Sequence, residues 1–276
     1  MNLKLLHIFL LSTGGTLLLC TPLIHTTELV NGLVIGKMCW FHLVMLFFSV
    51  CVFFVVLTKR TTAIAFLSSD LLLLIFTGTV LITYKWSLNP EPEKLIFIGQ
   101  LVIFWFLLRY ILTAYREFNF FFLFVGILTG LVEAVWGMQQ LHGHAYSNHS
   151  LFRLTGSFFN PGPYSGYLAV VLPVGLWMAL RFQKGMRCFG YICVGAILIV
   201  LPAGMSRSAW MAAVVACGWV YWAERIGWEK TKAVYRRNKN ATIPFIAIVA
   251  ILVGCAIAEL YGLKRDSADG RLLMWK

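Results

Sequence analysis

Charged side chains are scarce in this 276-residue sequence: only 12% of the residues are Asp, Glu, Lys or Arg, whereas 60% are hydrophobic. Acidic residues are the rarest charged class, with 11 Asp and Glu against 23 Lys and Arg. The mean hydropathy of +0.81 lies far above that of a water-soluble domain. This composition excludes a soluble globular protein and is typical of a polytopic membrane protein.

Motifs for nucleotide or metal chemistry are missing from the sequence. There is no Walker-type loop, no HExxH, no GxSxG, no DxD pair and no CxxC pair. The seven cysteines fall within or at the ends of apolar runs, where thiols behave as small hydrophobes. His142, His144 and His149 share one polar loop, but without a carboxylate nearby they are poor candidates for metal ligands or for a general base. We therefore predict no cofactor and no metal.

Long apolar runs dominate what is present. A run of about twenty such residues crosses a hydrocarbon core of roughly 30 Å, and only helices pair all their backbone groups there. We predict an all-α, polytopic transmembrane helical bundle with about nine spans: 4–21, 38–57, 62–83, 95–114, 120–141, 165–181, 188–204, 208–223 and 241–259. The first run lacks a cleavage site for a signal peptide and is interpreted as a retained helix.

The basic residues predict the orientation of these spans. If the N-terminus is cytoplasmic and the helices alternate, fourteen Lys and Arg lie inside and nine outside. The dense basic segments 181–187 and 224–240 then fall on the cytoplasmic side, as the positive-inside rule requires. The net charge of +12 therefore indicates contact with anionic headgroups rather than with nucleic acid.

Two polar segments interrupt the apolar runs, at 153–164 and at 205–210, and both are predicted on the outer side. Asn160-Pro161-Gly162 has the composition of a turn that opens a helix near Tyr164. Gly156 permits backbone conformations that other residues avoid, and Pro161 prevents continuation of a preceding helix. The exposed N–H groups at such a helix start favour an anion.

Two arginines stand on the outer side, against the positive-inside rule. Arg207 lies between two serines at the edge of an apolar run, and Arg153 begins the first polar segment. Guanidinium groups bind phosphate through paired hydrogen bonds, so with Arg271 they form a candidate diphosphate site. The alternative for Arg207 is an interfacial anchor or a structural partner for a buried acid.

Two acids lie inside predicted spans: Asp70 near the middle of the third and Glu133 in the fifth. Intramembrane acids serve as proton relays or pair with partners on other helices. A transporter or flippase built around them is the competing function, and inverted repeats would favour it. A membrane sensor module is a third class, which needs a soluble signalling domain.

Three elements resemble the motifs of the bacterial O-antigen ligase and polymerase superfamily. The segment 153–161 has the pattern RxxGxFxNP before a hydrophobic helix, Ser206-Arg207-Ser208-Ala209 is similar to an SRxA element, and 266–276 is similar to an sGRxxxW element. The family usually has Asn-Pro-Asn where this chain has Asn160-Pro161-Gly162. The resemblance covers roughly 150–276, and the first 140 residues match only in hydropathy.

The resemblance implies a metal-independent glycosyltransferase or ligase at the periplasmic face of the bacterial inner membrane. The donor is then a glycan on a polyprenyl diphosphate, and the acceptor is lipid A-core, a growing polysaccharide or a protein hydroxyl. Arg153, Arg207 and, less directly, Arg271 correspond to the diphosphate-binding arginines, and Gly156, Asn160 and Pro161 to the motif turn.

The resemblance also divides the chain. Residues 1–141 are expected to form five N-terminal spans, and 142–276 an O-antigen ligase-related region with four spans and the start of a large periplasmic loop. The general-base histidine of the family is expected in that loop, beyond residue 276. The chain is accordingly expected to be an N-terminal fragment that is inactive in isolation.

Overall fold

The computed structural model describes residues 3–26, 31–59, 65–87 and 91–237, with side chains described as far as residue 232. Within these ranges the chain is helical and contains no β-strand, which confirms the predicted all-α class. The α-helices are α1 (Leu3–Leu19), α2 (Gly32–Lys59), α3 (Ser68–Lys85), α4 (Pro92–Ala114), α5 (Glu117–Leu141), α6 (Pro161–Arg181), α7 (Lys184–Val200), α8 (Arg207–Tyr221) and α9 (Gly227–Arg237).

Six helical segments of the described chain are long and apolar enough to cross a membrane. They correspond to α2 to α6 and to the stretch Lys184–Gly204, in which α7 runs into a short 3₁₀ turn, Pro202–Gly204. The first predicted span forms α1, an apolar helix of 17 residues. The eighth forms α8, with 15 residues before a π-helical turn at Trp222–Ile226. The predicted span at 241–259 lies outside the described residues.

The third helix corrects one prediction. Asp70 was expected near the middle of a span, and that position is wrong, because α3 begins only at Ser68. The Asp70 carboxylate accepts the backbone N–H of Leu67 at 2.8 Å and so satisfies a group left unpaired at the helix start. Asp70 therefore lies in the first turn of α3.

The helices pack around two hydrophobic clusters that meet at α5. The N-terminal cluster joins α1, α2 and α4 to the start of α5, with Leu11, Phe48 and Ile111 fully buried. The second cluster joins the rest of α5 to α6, α7 and α8, with Tyr164 and Ile197 fully buried. Helix α5 thus contributes side chains to both clusters.

Alternation of the helices gathers the connections at two ends of the bundle. The motif end, as we call it, contains residues 20–26, 142–160 and 201–206, which the His25–Asn148 hydrogen bond of 3.2 Å helps to join. The basic end is the opposite one, where Arg181 and Glu224 lie 3.8 Å apart. It also contains Lys59, Arg116, Lys184, Arg187, Arg225, Lys230 and Lys232.

Candidate functional site

The two polar segments meet at the motif end. Gly204 packs so tightly against α6 that a Cβ atom there would collide with the Oγ of Ser165 and would lie 3.9 Å from the carbonyl of Pro161. A cavity of about 430 Å³ separates α6 from α8, and Gly162 and Gly166 line it on one side while Ser206 and Ser208 line it on the other. The N-termini of α6 and α8 are therefore neighbours.

The segment before α6 is fixed to α5 by Gln140. Its Oε1 accepts the backbone N–H groups of Thr155 at 2.9 Å and of Gly156 at 2.7 Å, and its Nε2 donates to the carbonyl of Gly156 at 3.0 Å. Thr155 and Gln140 are both buried. Buried backbone groups need such partners, since an unpaired amide away from water costs about 1–3 kcal/mol. One amide side chain thus holds the buried turn of this segment.

Gly156 is required by both backbone conformation and space. Its φ of +55° lies in the left-handed region that favours glycine. A Cβ atom on Gly156 would also collide with the Glu133 carboxylate and with the ring of Tyr164. The motif glycine therefore lies against both α5 and α6.

Asn160 and Pro161 begin α6. The Asn160 side chain accepts the N–H of Gly162 at 2.9 Å as the N-cap, and Pro161, which has no N–H to satisfy, occupies the first helical position. The sequence predicted a helix start near Tyr164, and α6 begins three residues earlier, at Pro161. The glycine in the third motif position contributes its backbone N–H to this cap.

Glu133 lies directly beneath the segment. This residue of α5 is fully buried, and its Oε2 accepts the backbone N–H of Ser157 at 3.1 Å. Its Oε1 has no hydrogen-bond partner among the described residues. The hydroxyl of Tyr164 donates to the backbone carbonyl of Glu133 at 3.1 Å. Glu133 therefore supports residues 153–160, which we call the motif segment.

Lys37 is a component of the site that sequence reasoning missed, because it was counted only as an orientation signal. Its ammonium donates to the Oγ of Ser157 at 3.1 Å and to the carbonyls of Pro22 and Ile24. It also lies 4.9 Å from the centre of the Phe158 ring. A single lysine inside the apolar pattern of α2 was the available signal, since such a charge needs a partner.

The predicted arginines occupy different environments. Arg153 is exposed in the loop between α5 and α6, whereas Arg207 is half-buried as the first residue of α8. In the described ranges neither forms a salt bridge. Arg271 lies outside the described residues. The structure therefore places two of the three arginines at the motif end.

The three histidines of the loop between α5 and α6 have different surroundings. His142 Nδ1 contacts the carbonyl of Met138 at 2.8 Å at the end of α5. The His149 ring packs 4.7 Å from Phe152 and 5.3 Å from Phe159, and His144 is exposed. No group of three His, Cys, Asp or Glu side chains suited to a metal occurs in the part of the chain that the structure describes.

Asp70 belongs to the basic end and not to this site. It forms an ion pair with Arg109 of α4 and accepts the indole N–H of Trp105 at 2.8 Å. With the contact to Leu67, the carboxylate has three partners on its own helix start and on α4. These contacts favour the structural alternative for this acid.

An apolar cavity of about 420 Å³ opens beside the motif segment. Asn160 and Pro163 line it from α6, and Lys37 lines it from α2. The remaining lining residues are apolar except for Thr21. They come from α2, α4, the motif segment and the 3₁₀ turn that follows α1: Thr21, Leu33, Val34, Met38, Phe41, Phe97, Phe158 and Phe159. Polar caps and an apolar slot thus adjoin at one end of the bundle.

Comparison of the chain with protein-family models, with curated proteins and with solved structures found no match.

Proposed function

We propose that the protein is a membrane glycosyltransferase of the O-antigen ligase type, which moves a glycan from a polyprenyl diphosphate to an acceptor at the motif end. The observation that carries the proposal is the packing of the turn at Gly204 against the start of α6, which brings the segments around Arg153 and Arg207 to one end of the bundle. Two segments that resemble the same family's motifs are thereby neighbours in space.

The chemistry of the motif end suits a diphosphate. The N-cap residue of α8, Ser206, makes no side-chain cap, so this helix start presents unpaired N–H groups and a partial positive charge next to the start of α6. Arg207 adds a guanidinium that binds phosphate oxygens in pairs. As the glycosidic bond breaks, negative charge develops on the leaving diphosphate, and fixed cations stabilise that charge without a metal ion. Arg153 and Arg271 are the further arginines proposed for this role.

A lipid-linked donor also needs an apolar surface next to its diphosphate. The cavity beside Asn160 offers one, since most of its walls are aliphatic or aromatic. A soluble sugar nucleotide would not need such a surface. The aromatic walls equally suit bulk lipid, so this feature supports the proposal only together with Arg207 and the N-terminus of α8.

The charge distribution supports the orientation. Lys and Arg are concentrated at the basic end, in the short loop after α6 and around α9. By the positive-inside rule this end is cytoplasmic, which places the N-terminus of the chain inside and the motif end in the periplasm of an inner membrane. About nine spans, including 241–259, complete this arrangement.

Neither intramembrane acid supports a transporter. Asp70 is paired with Arg109, and Glu133 holds a backbone N–H of the motif segment. Within the transferase class, the acceptor can be a glycolipid, a growing polysaccharide or a protein hydroxyl. A polymerase and a protein O-oligosaccharyltransferase are therefore the alternatives that share this site.

The test follows glycan transfer from its lipid carrier by the complete protein in bacterial membranes. Arg207→Ala is expected to lower transfer on the order of tenfold to hundredfold, because a charge-assisted hydrogen bond to phosphate is lost. Arg187→Ala, at the basic end, is the matched control and should leave transfer unchanged. Undiminished transfer by Arg207→Ala at equal protein level contradicts the proposal.

A further inference from the structure

We infer that Glu133 and Lys37 are positioning residues, which hold Ser157 from two helices and so set the conformation of the segment 153–160. The consequence for glycan transfer rests on the proposed function. The conformational part depends only on the contacts around Ser157.

Ser157 is the buried centre of this arrangement. Its backbone N–H donates to Glu133 of α5 at 3.1 Å, and its hydroxyl accepts from Lys37 of α2 at 3.1 Å. The same hydroxyl donates to the carbonyl of Pro22, in the turn that follows α1. Three elements of the bundle therefore meet on one serine of the motif segment.

Lys37 joins the turn after α1 to the motif segment through its ammonium group. An ammonium group has three N–H donors and no acceptor. Those donors face the Oγ of Ser157 and the carbonyls of Pro22 and Ile24, while the Phe158 ring lies beside the charge. No donor remains for a phosphate, so Lys37 contributes to the site by joining the turn after α1 to the motif segment.

The buried carboxylate of Glu133 depends on its hydrogen bond from Ser157. A carboxylate buried among helices is costly unless an opposite charge or hydrogen bonds compensate it, and here only one of its oxygens has a partner among the described residues. Lys37 and Glu133 contact the same residue, one at the Ser157 hydroxyl and the other at the Ser157 backbone N–H. Loss of the Glu133 acceptor therefore leaves a buried N–H of the motif segment unpaired.

The test measures amide hydrogen exchange of peptides that cover residues 154–159, with the full chain reconstituted in lipid nanodiscs. Glu133→Leu removes the acceptor for the Ser157 N–H and is expected to speed exchange there about tenfold or more. Glu133→Gln keeps an oxygen that accepts the same N–H, so exchange should change much less. Recovery by the glutamine distinguishes a positioning contact from a general need for a large side chain.

The matched control is Ile127→Ala on the same helix. Ile127 is fully buried near Gly175 of α6, and it lies six positions before Glu133, toward the basic end of α5. This variant should lower the stability of the whole protein but leave exchange at 154–159 unchanged relative to other helices. A folded Glu133→Leu protein with wild-type exchange in this segment overturns the inference.

If Glu133→Leu does not fold, Lys37→Met decides the question. This variant should speed exchange both at 154–159 and at 20–26, because the Lys37 hydrogen bonds that join these two segments are lost. Unchanged exchange in both segments overturns the inference as well.

A separate assay of glycan transfer keeps the two proposals distinguishable. Absence of transfer by the wild-type protein counts against the proposed function only, since hydrogen exchange requires no substrate. With transfer established, Glu133→Leu should lower turnover and Glu133→Gln should retain most of it. Equal turnover of the two variants contradicts the catalytic consequence of positioning.

Discussion

Replacing Gly156 by alanine tests whether the motif segment is built around a glycine. The backbone there has a φ of +55°, and a left-handed conformation costs a residue with a Cβ about 1–2 kcal/mol. The new methyl group would also collide with the Glu133 carboxylate and the Tyr164 ring, both of which are fully buried. Overpacking of this kind costs about 1–3 kcal/mol. We therefore expect Gly156→Ala to lower the free energy of unfolding by roughly 2–5 kcal/mol.

Substitutions at two other glycines separate the conformational cost from the overpacking cost. Gly143 has a φ of +80°, but no heavy atom lies within 4 Å of the position that a Cβ would take, so Gly143→Ala should cost only the conformational part, about 1–2 kcal/mol. Gly126 lies within α5 with open space around it, so Gly126→Ala should be neutral or stabilising by up to about 1 kcal/mol.

The assay is unfolding of the purified protein by SDS titration in mixed micelles, followed by tryptophan fluorescence. The expected order of stability places Gly126→Ala first, Gly143→Ala next and Gly156→Ala last. If Gly156→Ala is as stable as Gly143→Ala, the close packing of the motif segment on α5 and α6 is refuted.

Two further predictions concern helix contacts elsewhere. Gly204→Ala should destabilise the bundle, because its methyl group would collide with the Oγ of Ser165. Adding Ser165→Ala should restore part of the lost stability. Equal stability of the single and the double variant in the same titration would count against this contact. Asp70→Ala should destabilise the protein clearly, because the ion pair with Arg109 and the hydrogen bonds from Trp105 and Leu67 are all lost. Glu91→Ala, which breaks an exposed pair, should stay within about 1 kcal/mol of the wild type, and a similar cost for both changes would contradict the difference in burial.

The sequence was sufficient to predict the helical membrane class and the turn chemistry. Long apolar runs leave helices as the way to satisfy the backbone in lipid, so the pattern carries the class directly. The helix start at Asn160-Pro161 also follows from local rules, since a side-chain cap and a residue without an N–H both suit that position. Local features of this kind need no knowledge of distant residues.

The residues that hold the motif segment in place could not be predicted from local sequence patterns. Lys37 and Ser157 are 120 positions apart, and Glu133 and Ser157 are 24 apart, so no local pattern relates them. Gln140 likewise has the appearance of an ordinary polar residue near a helix end until its three hydrogen bonds with the turn are known. Pairings of this kind depend on how the helices pack.

Helix ends were predicted less well than helix existence. Hydropathy does not distinguish an apolar residue inside a helix from one just before it, so the third span was predicted to start too early and Asp70 too deep. The carboxylate at the third helical position was the available signal, because acids are favoured in the first turn of a helix.

Binding of a polyprenyl diphosphate to the purified protein in nanodiscs is the direct test of a diphosphate site at the motif end. We expect Arg207→Ala to weaken binding about tenfold or more, whereas Arg187→Ala at the basic end should bind as the wild type does. The wild-type affinity should also fall as salt is raised, since exposed charges are screened. Equal affinity of Arg207→Ala and the wild type would contradict a diphosphate site at the motif end.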